Sequence, residues 1–358
     1  MDARVTRRRA VTRFAAWLAG SPLAGEVLVG EPAGRIAPVN ELVNAFEFAA
    51  MAERQLGSAT FERLAGSDRR AFDRITLRPR MMVNTLNLDL TTELFGESMF
   101  APILVGPVSD QGRFHAEGEL ATVRGASAAK AVMVISSHST CPLEQIVAPS
   151  PSTFWFQVYP EPDLSMVRMR IDKAVDLGCK AVCITIGAPE PTGGNSAVPL
   201  RTAAMDKFSL DWTAIDRLRN GLRVPVLLKG LMSPEEARTA VARGISGVVV
   251  SDHAGLQGSA RMSPIEALPS IAKAVGGKVP ILIDGGFRRG TDILKGLALG
   301  AGAILLGRPP MWGLAAYGAD GVRTLLTMLQ TELARDMAMC GSATAAEVDS
   351  RLVTLHQR

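Results

Sequence analysis

The chain has 358 residues, 47% of them hydrophobic and 21% charged, a composition that supports a large core and excludes a disordered chain. Its net charge of +4 sits in residues 1–13, where five arginines face one aspartate; the balanced remainder, with no basic stripe interleaved with aromatics, excludes a nucleic-acid reader. The four cysteines show no metal-type spacing and read as buried free thiols, and no apolar run reaches the roughly 18 residues that a membrane span needs.

In chain order, residues 1–30 form a basic amino-terminal segment. Arg7, Arg8 and Arg9 precede a mildly apolar stretch over 14–25, the layout of a twin-arginine export signal, without a clean small-residue cleavage site. The alternative is a basic arm on a cytoplasmic protein, so periplasm and cytoplasm both stay open. Residues 31–100 read as a helical extension and connector. Apolar residues recur at three- and four-residue spacing over 40–64, as in amphipathic helices, and a hairpin-like piece falls around 86–94.

From residue 101 the rhythm changes to short apolar runs alternating with helical stretches. Strands are expected at 103–105, 132–136, 154–159, 181–186, 226–229, 247–250, 280–284 and 303–306. Helices are expected at 117–130, 163–177, 234–243, 263–275 and 291–299, with a long one at 320–341. Eight strands alternating with helices, each a continuous apolar run, predict an α/β fold: a (β/α)8 TIM barrel over 101–345 with an N-terminal helical extension. Residues 346–358 are left as a C-terminal tail. The Pro- and Gly-rich stretch 187–211 reads as a lid over the barrel mouth.

Chemistry concentrates where strands end. The last three strands run into SDHAGLQ (251–257), LIDGGFRRGTD (282–292) and AILLGRPP (303–310). Gly285-Gly286 with Arg288, and Gly307 with Arg308, are glycine–arginine corners on neighbouring strands, a nest for a phosphate monoester at the place where barrels commonly hold one. A histidine, His253, ends the strand before them.

These stretches, with LLKG (227–230) and LLGRP (305–309), resemble the FMN-dependent α-hydroxy-acid oxidase/dehydrogenase family, whose members include glycolate, lactate and mandelate oxidases. The resemblance covers 101–345 and, more loosely, 40–100. It implies FMN as cofactor, with Pro107, Val108 and Ser109 along the flavin ring and Ser136, Gln157 and Thr185 on its polar edge. Lys229 would stabilise charge on the reduced ring; Asp284, Gly286, Arg288, Gly307 and Arg308 would hold the ribityl chain and phosphate. His253 would be the catalytic base and Tyr159 a substrate-side hydrogen-bond partner. A small-molecule substrate, dioxygen or an electron carrier as acceptor, and a homo-oligomer, tetrameric by analogy, are further implications. A salt bridge across the barrel mouth is the plainer account of Lys229.

The substrate half departs from the family pattern. Leu256 stands where the family has a carboxylate-clamping arginine, Gly194 where it has a second arginine, and Gly187 where a carboxylate orients the histidine. Arg63 corresponds to a family tyrosine, and His138 occupies an aromatic position. Without the clamp a simple hydroxy acid loses its bidentate partner. Either Arg63, His138 or Arg113 restores the charge, or the substrate is larger or less anionic. The competing readings are an FMN-binding protein without hydroxy-acid turnover, and a phosphate-handling barrel without flavin.

Overall fold

In this computed structural model the residues described are 35–65, 69–148, 153–186, 211–253 and 262–356. The expected signal at 1–30, the lid at 187–211 apart from Asp211, Gly187, Gly194 and Leu256 lie outside them. Residues 38–358 form one compact unit.

Helix α1 (Ala45–Leu56) starts where Asn44 accepts hydrogen bonds from the backbone N–H groups of Phe46 and Glu47, and it buries Ala45, Phe48, Met51 and Ala52. After short helical turns at Ser58–Phe61, Glu62–Leu64 and Arg70–Asp73 comes β1 (Ile75–Leu77). It pairs antiparallel with β12 (Val353–Leu355), register Ile75 to Leu355, so the segment expected as a tail is stitched to the connector. Neither three-residue strand shows a period in the sequence; only the pairing defines them.

The hairpin consists of β2 (Thr92–Leu94) and β3 (Glu97–Met99), later in the chain than expected. Phe95 (φ 56°) and Gly96 (φ 80°) both adopt left-handed backbone conformations, as a two-residue turn between twisted strands requires. The hairpin plugs the N-terminal end of the barrel. Leu94 and Met99 join the interior cluster of Leu104, Val132, Val134, Trp155, Ala181, Cys183, Leu227, Val249, Leu282, Ala303 and Leu305, with Phe95 packed against it. The Phe95 and Trp155 rings lie 5.6 Å apart.

The eight barrel strands are β4 (Ile103–Val105), β5 (Met133–Ser136), β6 (Phe154–Val158), β7 (Val182–Thr185), β8 (Val226–Leu231), β9 (Gly247–Val250), β10 (Ile281–Ile283) and β11 (Ala303–Leu306). All pair in parallel and close, β11 pairing back onto β4. They are apolar because both faces are buried. Between them lie α2 (Gly118–Ala128), α3 (Leu164–Asp176), α4 (Trp212–Arg219), α5 (Pro234–Ala242), α6 (Pro264–Val275) and α7 (Gly290–Ala298). Asp163 and Ser233 cap α3 and α5, and Ser263 with Glu266 forms a capping box on α6. Helix α8 (Arg308–Met339) starts a dozen residues before the 320–341 expected, with a break at Gly318 (φ 60°, ψ −138°). Three of the cysteines are buried as expected; Cys141 is partly exposed. Among the described residues no helix is long and apolar enough to cross a membrane.

Candidate active site

Register places the polar strand ends in one row. Ser136 pairs with Gln157, and Thr185 with Lys229. Side chains then link neighbours: Ser109 Oγ lies 3.1 Å from Ser136 Oγ, and Gln157 Nε2 donates to Thr185 Oγ1 at 2.9 Å. Lys229 Nζ donates to Ser251 Oγ at 3.0 Å and pairs with Asp284 Oδ2 at 2.9 Å. The salt bridge considered for Lys229 is therefore formed, and it balances an ammonium that is only 4% exposed. Ser251 and its neighbour Asp252 were not singled out in the sequence, although both stand in the histidine motif.

A cavity of about 380 Å³ opens at the C-terminal end of the strands, within the range of small-molecule sites. It gathers Arg63, Pro107, Val108, Ser109, Tyr159, Lys229, His253, Asp284, Gly286, Arg288, Gly307 and Arg308. Ser136, Gln157 and Thr185 do not line it but back the row of strand ends. His138 is set to one side, its Nε2 3.7 Å from Glu161 and its ring 5.4 Å from Tyr159. Sequence reasoning missed Asp110, Phe114, Leu64, Asp252 and Phe287 in the lining. Asp252 adjoins His253 and was findable; Leu64 and Phe114 carry no signal outside the folded state.

Tyr159 Oη lies 2.7 Å from His253 Nε2. Burial, reinforced by the charges of Lys229 and Arg308 and opposed by Asp284, lowers the His253 imidazolium from its usual 6.5 to about 4. The imidazole is thus a free base at neutral pH. Burial raises the Asp252 carboxyl, and the charge of Asp284 adds to the effect.

The opposite end is cationic. Arg288, 3% exposed, lies over the Trp312 ring at 4.6 Å and donates from Nη1 to the Phe287 carbonyl at 2.6 Å. Burial, then the neighbouring Arg308 and Arg69, pushes its guanidinium down to about 9. Its Nη2 is buried without a hydrogen-bond partner, as is Gln157 Oε1. A buried guanidinium with an unsatisfied N–H beside a second arginine fits a phosphate, and an orphaned amide oxygen at the strand ends fits a ring N–H donor. Gly307 leaves its side open: an added Cβ would meet nothing nearer than Val108 at 4.0 Å. Gly286 is glycine for another reason, since at φ 86° a Cβ would lie 2.7 Å from Phe72.

A family model described as FMN-dependent dehydrogenase matches residues 49–204 and 190–355. The chain belongs to this family. Its cofactor is FMN, and its barrel is that of the FMN-dependent hydroxy-acid oxidases. It is 34% identical to an L-lactate oxidase from Nostoc sp. over 88% of this chain and 99% of the relative. It is also 34% identical to a human 2-hydroxyacid oxidase 2, over 87% and 98%. A crystal structure of mandelate oxidase with (S)-2-phenylpropionate superposes with a TM-score of 0.79 at 35% identity, covering 87% of this chain and 98% of the other. A flavocytochrome b2 double mutant with pyruvate bound gives 0.82 at 28%, covering 89% and 88%.

Proposed function

We propose that this member of the family oxidises the CH–OH group of a 2-hydroxy acid, or of a larger or less anionic relative, to a carbonyl. The observation that carries the reading is the Tyr159–His253 contact at 2.7 Å, made in the same cavity as Arg288 and Arg308. FMN, when bound, supplies the two-electron acceptor for that group. Arg288, Arg308 and Gly307 would hold its phosphate, with Lys229 and Gln157 at the ring and Pro107, Val108 and Ser109 alongside.

His253 takes the substrate proton. Its imidazole is unprotonated at neutral pH, as a base must be. Tyr159 Oη shares Nε2 and orients the ring, a task for which Gly187 offers no carboxylate. The Lys229–Asp284 pair keeps one cation fixed near the reacting group. Dioxygen is the acceptor best supported, because curated relatives are oxidases; an electron carrier is the alternative, and oxygen consumption separates the two.

The test is anaerobic mixing of the FMN-loaded protein with a panel of 2-hydroxy acids. At least one should bleach the flavin, and His253→Ala should retain FMN while slowing bleaching by about 100-fold or more. A flavin inert to the whole panel would instead favour an FMN-binding protein without turnover, the reading that the uncharged Leu256 and Gly194 support.

A further inference from the structure

Behind the cavity wall lies a buried polar cluster made of Glu119, Thr122 and Gln111. Glu119 and Thr122, in the first two turns of α2, are 0% exposed, and Gln111 is 1% exposed. None of the three lines the cavity. Burying a carboxylate, a hydroxyl and an amide together is costly unless each is hydrogen-bonded. Here the bonds run to the two loops that follow β4 and β5.

Glu119 serves both loops at once. Its Oε1 accepts from the backbone N–H of Gln111 at 3.1 Å, after β4, and from that of Thr140 at 3.0 Å, after β5. Its Oε2 accepts from the Cys141 N–H at 3.3 Å. The loops are tied further where the Asp110 N–H donates to the His138 carbonyl at 3.0 Å, and the Gly112 N–H to Thr140 Oγ1 at 2.9 Å. From Gln111 the connection runs toward the cavity. Thr122 Oγ1 donates to Gln111 Oε1 at 2.6 Å, and Gln111 Nε2 donates to the Val108 carbonyl at 3.1 Å. Asp110, inside this loop, is left-handed at φ 52° and ψ 43°, a conformation that a residue other than glycine keeps where its surroundings enforce it.

The consequence falls on one peptide. Val108 and Ser109 line the cavity and Gln111 does not, so the Val108 carbonyl is drawn to the back of the wall. In a trans peptide the following N–H points the opposite way, and the described residues include no cis bond. The Ser109 N–H is thereby turned to the cavity. We propose that Glu119 and Gln111 are positioning residues for the flavin, fixing the Val108–Ser109 peptide as a preorganised donor at the ring. A fixed N–H dipole favours the negative charge that reduction brings, so the network raises the flavin's reduction potential. The inference rests on FMN as the cofactor and is independent of the substrate.

The test is a redox titration of the FMN-loaded protein against a reference dye at pH 7, with no substrate present. Gln111→Met removes the donor to Val108 at nearly constant volume, and Glu119→Gln sets an amide N–H2 against backbone N–H groups. Each should lower the equilibrium constant for flavin reduction about tenfold, the worth of one hydrogen bond, or about 30 mV for two electrons. Each should also alter the visible flavin spectrum. Gln330→Met is the control. Gln330, 5% exposed, donates from Nε2 to the Ala129 carbonyl at the other end of α2 at 2.9 Å, so its loss removes a buried hydrogen bond without touching either loop. That variant should melt lower and keep the wild-type potential.

If Gln111→Met and Glu119→Gln also melt lower but keep the wild-type potential and spectrum, the network is scaffolding only and the proposal is overturned. Should either variant fail to fold with FMN, Thr122→Val, which removes only the bond to Gln111, decides the matter. A potential below wild type supports the proposal, and an unchanged one overturns it. A flavin that no 2-hydroxy acid reduces would remove the substrate reading and leave this measurement standing.

Discussion

His253 is where one atom's surroundings set the chemistry. Its folded-state pKa, about 4, lies below the usual 6.5, with burial the largest cause and Lys229 second. The unfolded chain therefore binds the proton first as pH falls. The stability from this residue is complete above 6.5 and is lost as pH drops through 4. The same sign governs catalysis, so the acid limb of anaerobic flavin reduction should lie well below pH 6.5. A limb at or above 6.5, read from single-turnover rates across pH, would mean that the imidazole is not desolvated as the geometry requires. At this scale the motif flanking His253 was legible, whereas the partner of its Nε2 was not. Tyr159 is 94 positions away in the chain, and only the barrel's closure brings the two together. Lys229 is similar: a strand-end lysine is visible in LLKG, but Asp284 as its counter-charge is a product of strand order.

Helix α8 shows what an element can conceal. Its periodicity was legible over 320–341, yet the helix begins at Arg308 and breaks at Gly318, whose ψ of −138° is not helical. Beyond the break the two halves touch through glycine: a Cβ on Gly321 would lie 2.0 Å from the Gly313 carbonyl oxygen, and one on Gly125 of α2 would lie 2.5 Å from the Ala319 oxygen. Gly321→Ala should therefore cost about 3 kcal/mol of stability by overpacking a backbone contact, lowering the melting temperature by roughly 4 °C. Gly302→Ala is the control, its added methyl coming no nearer than 3.7 Å to any atom. Equal melting of the two variants would show that the close approach is not rigid. Because Arg308 and Trp312 lie at the start of α8, the packing of this helix also positions the Arg308 corner and the Glu62–Leu64 turn.

Across the molecule, binding and folding are linked. A phosphate bound between Arg288 and Arg308, as proposed, would supply the counter-charge that offsets the burial and repulsion depressing the Arg288 guanidinium. Saturation with FMN at about 100 times its dissociation constant should add roughly 2.7 kcal/mol, seen as a rise in melting temperature of about 4 °C. Arg308→Ala should remove most of that rise at the same FMN concentration. An undiminished rise would detach Arg308 from the cofactor.

Alternating apolar runs and helical periods were enough to specify eight strands in order and hence the barrel, because burial on both faces of a parallel strand writes itself into consecutive residues. The glycine–arginine corners and His253 were likewise legible, since each follows directly on a strand. The pairing of 75–77 with 353–355, the hairpin plug, the Tyr159–His253 contact and the convergence of Arg63 and Arg113 on one cavity were decided by tertiary structure alone. Each joins residues distant in the chain through contacts that leave no local period, and such contacts exist only once the barrel has closed.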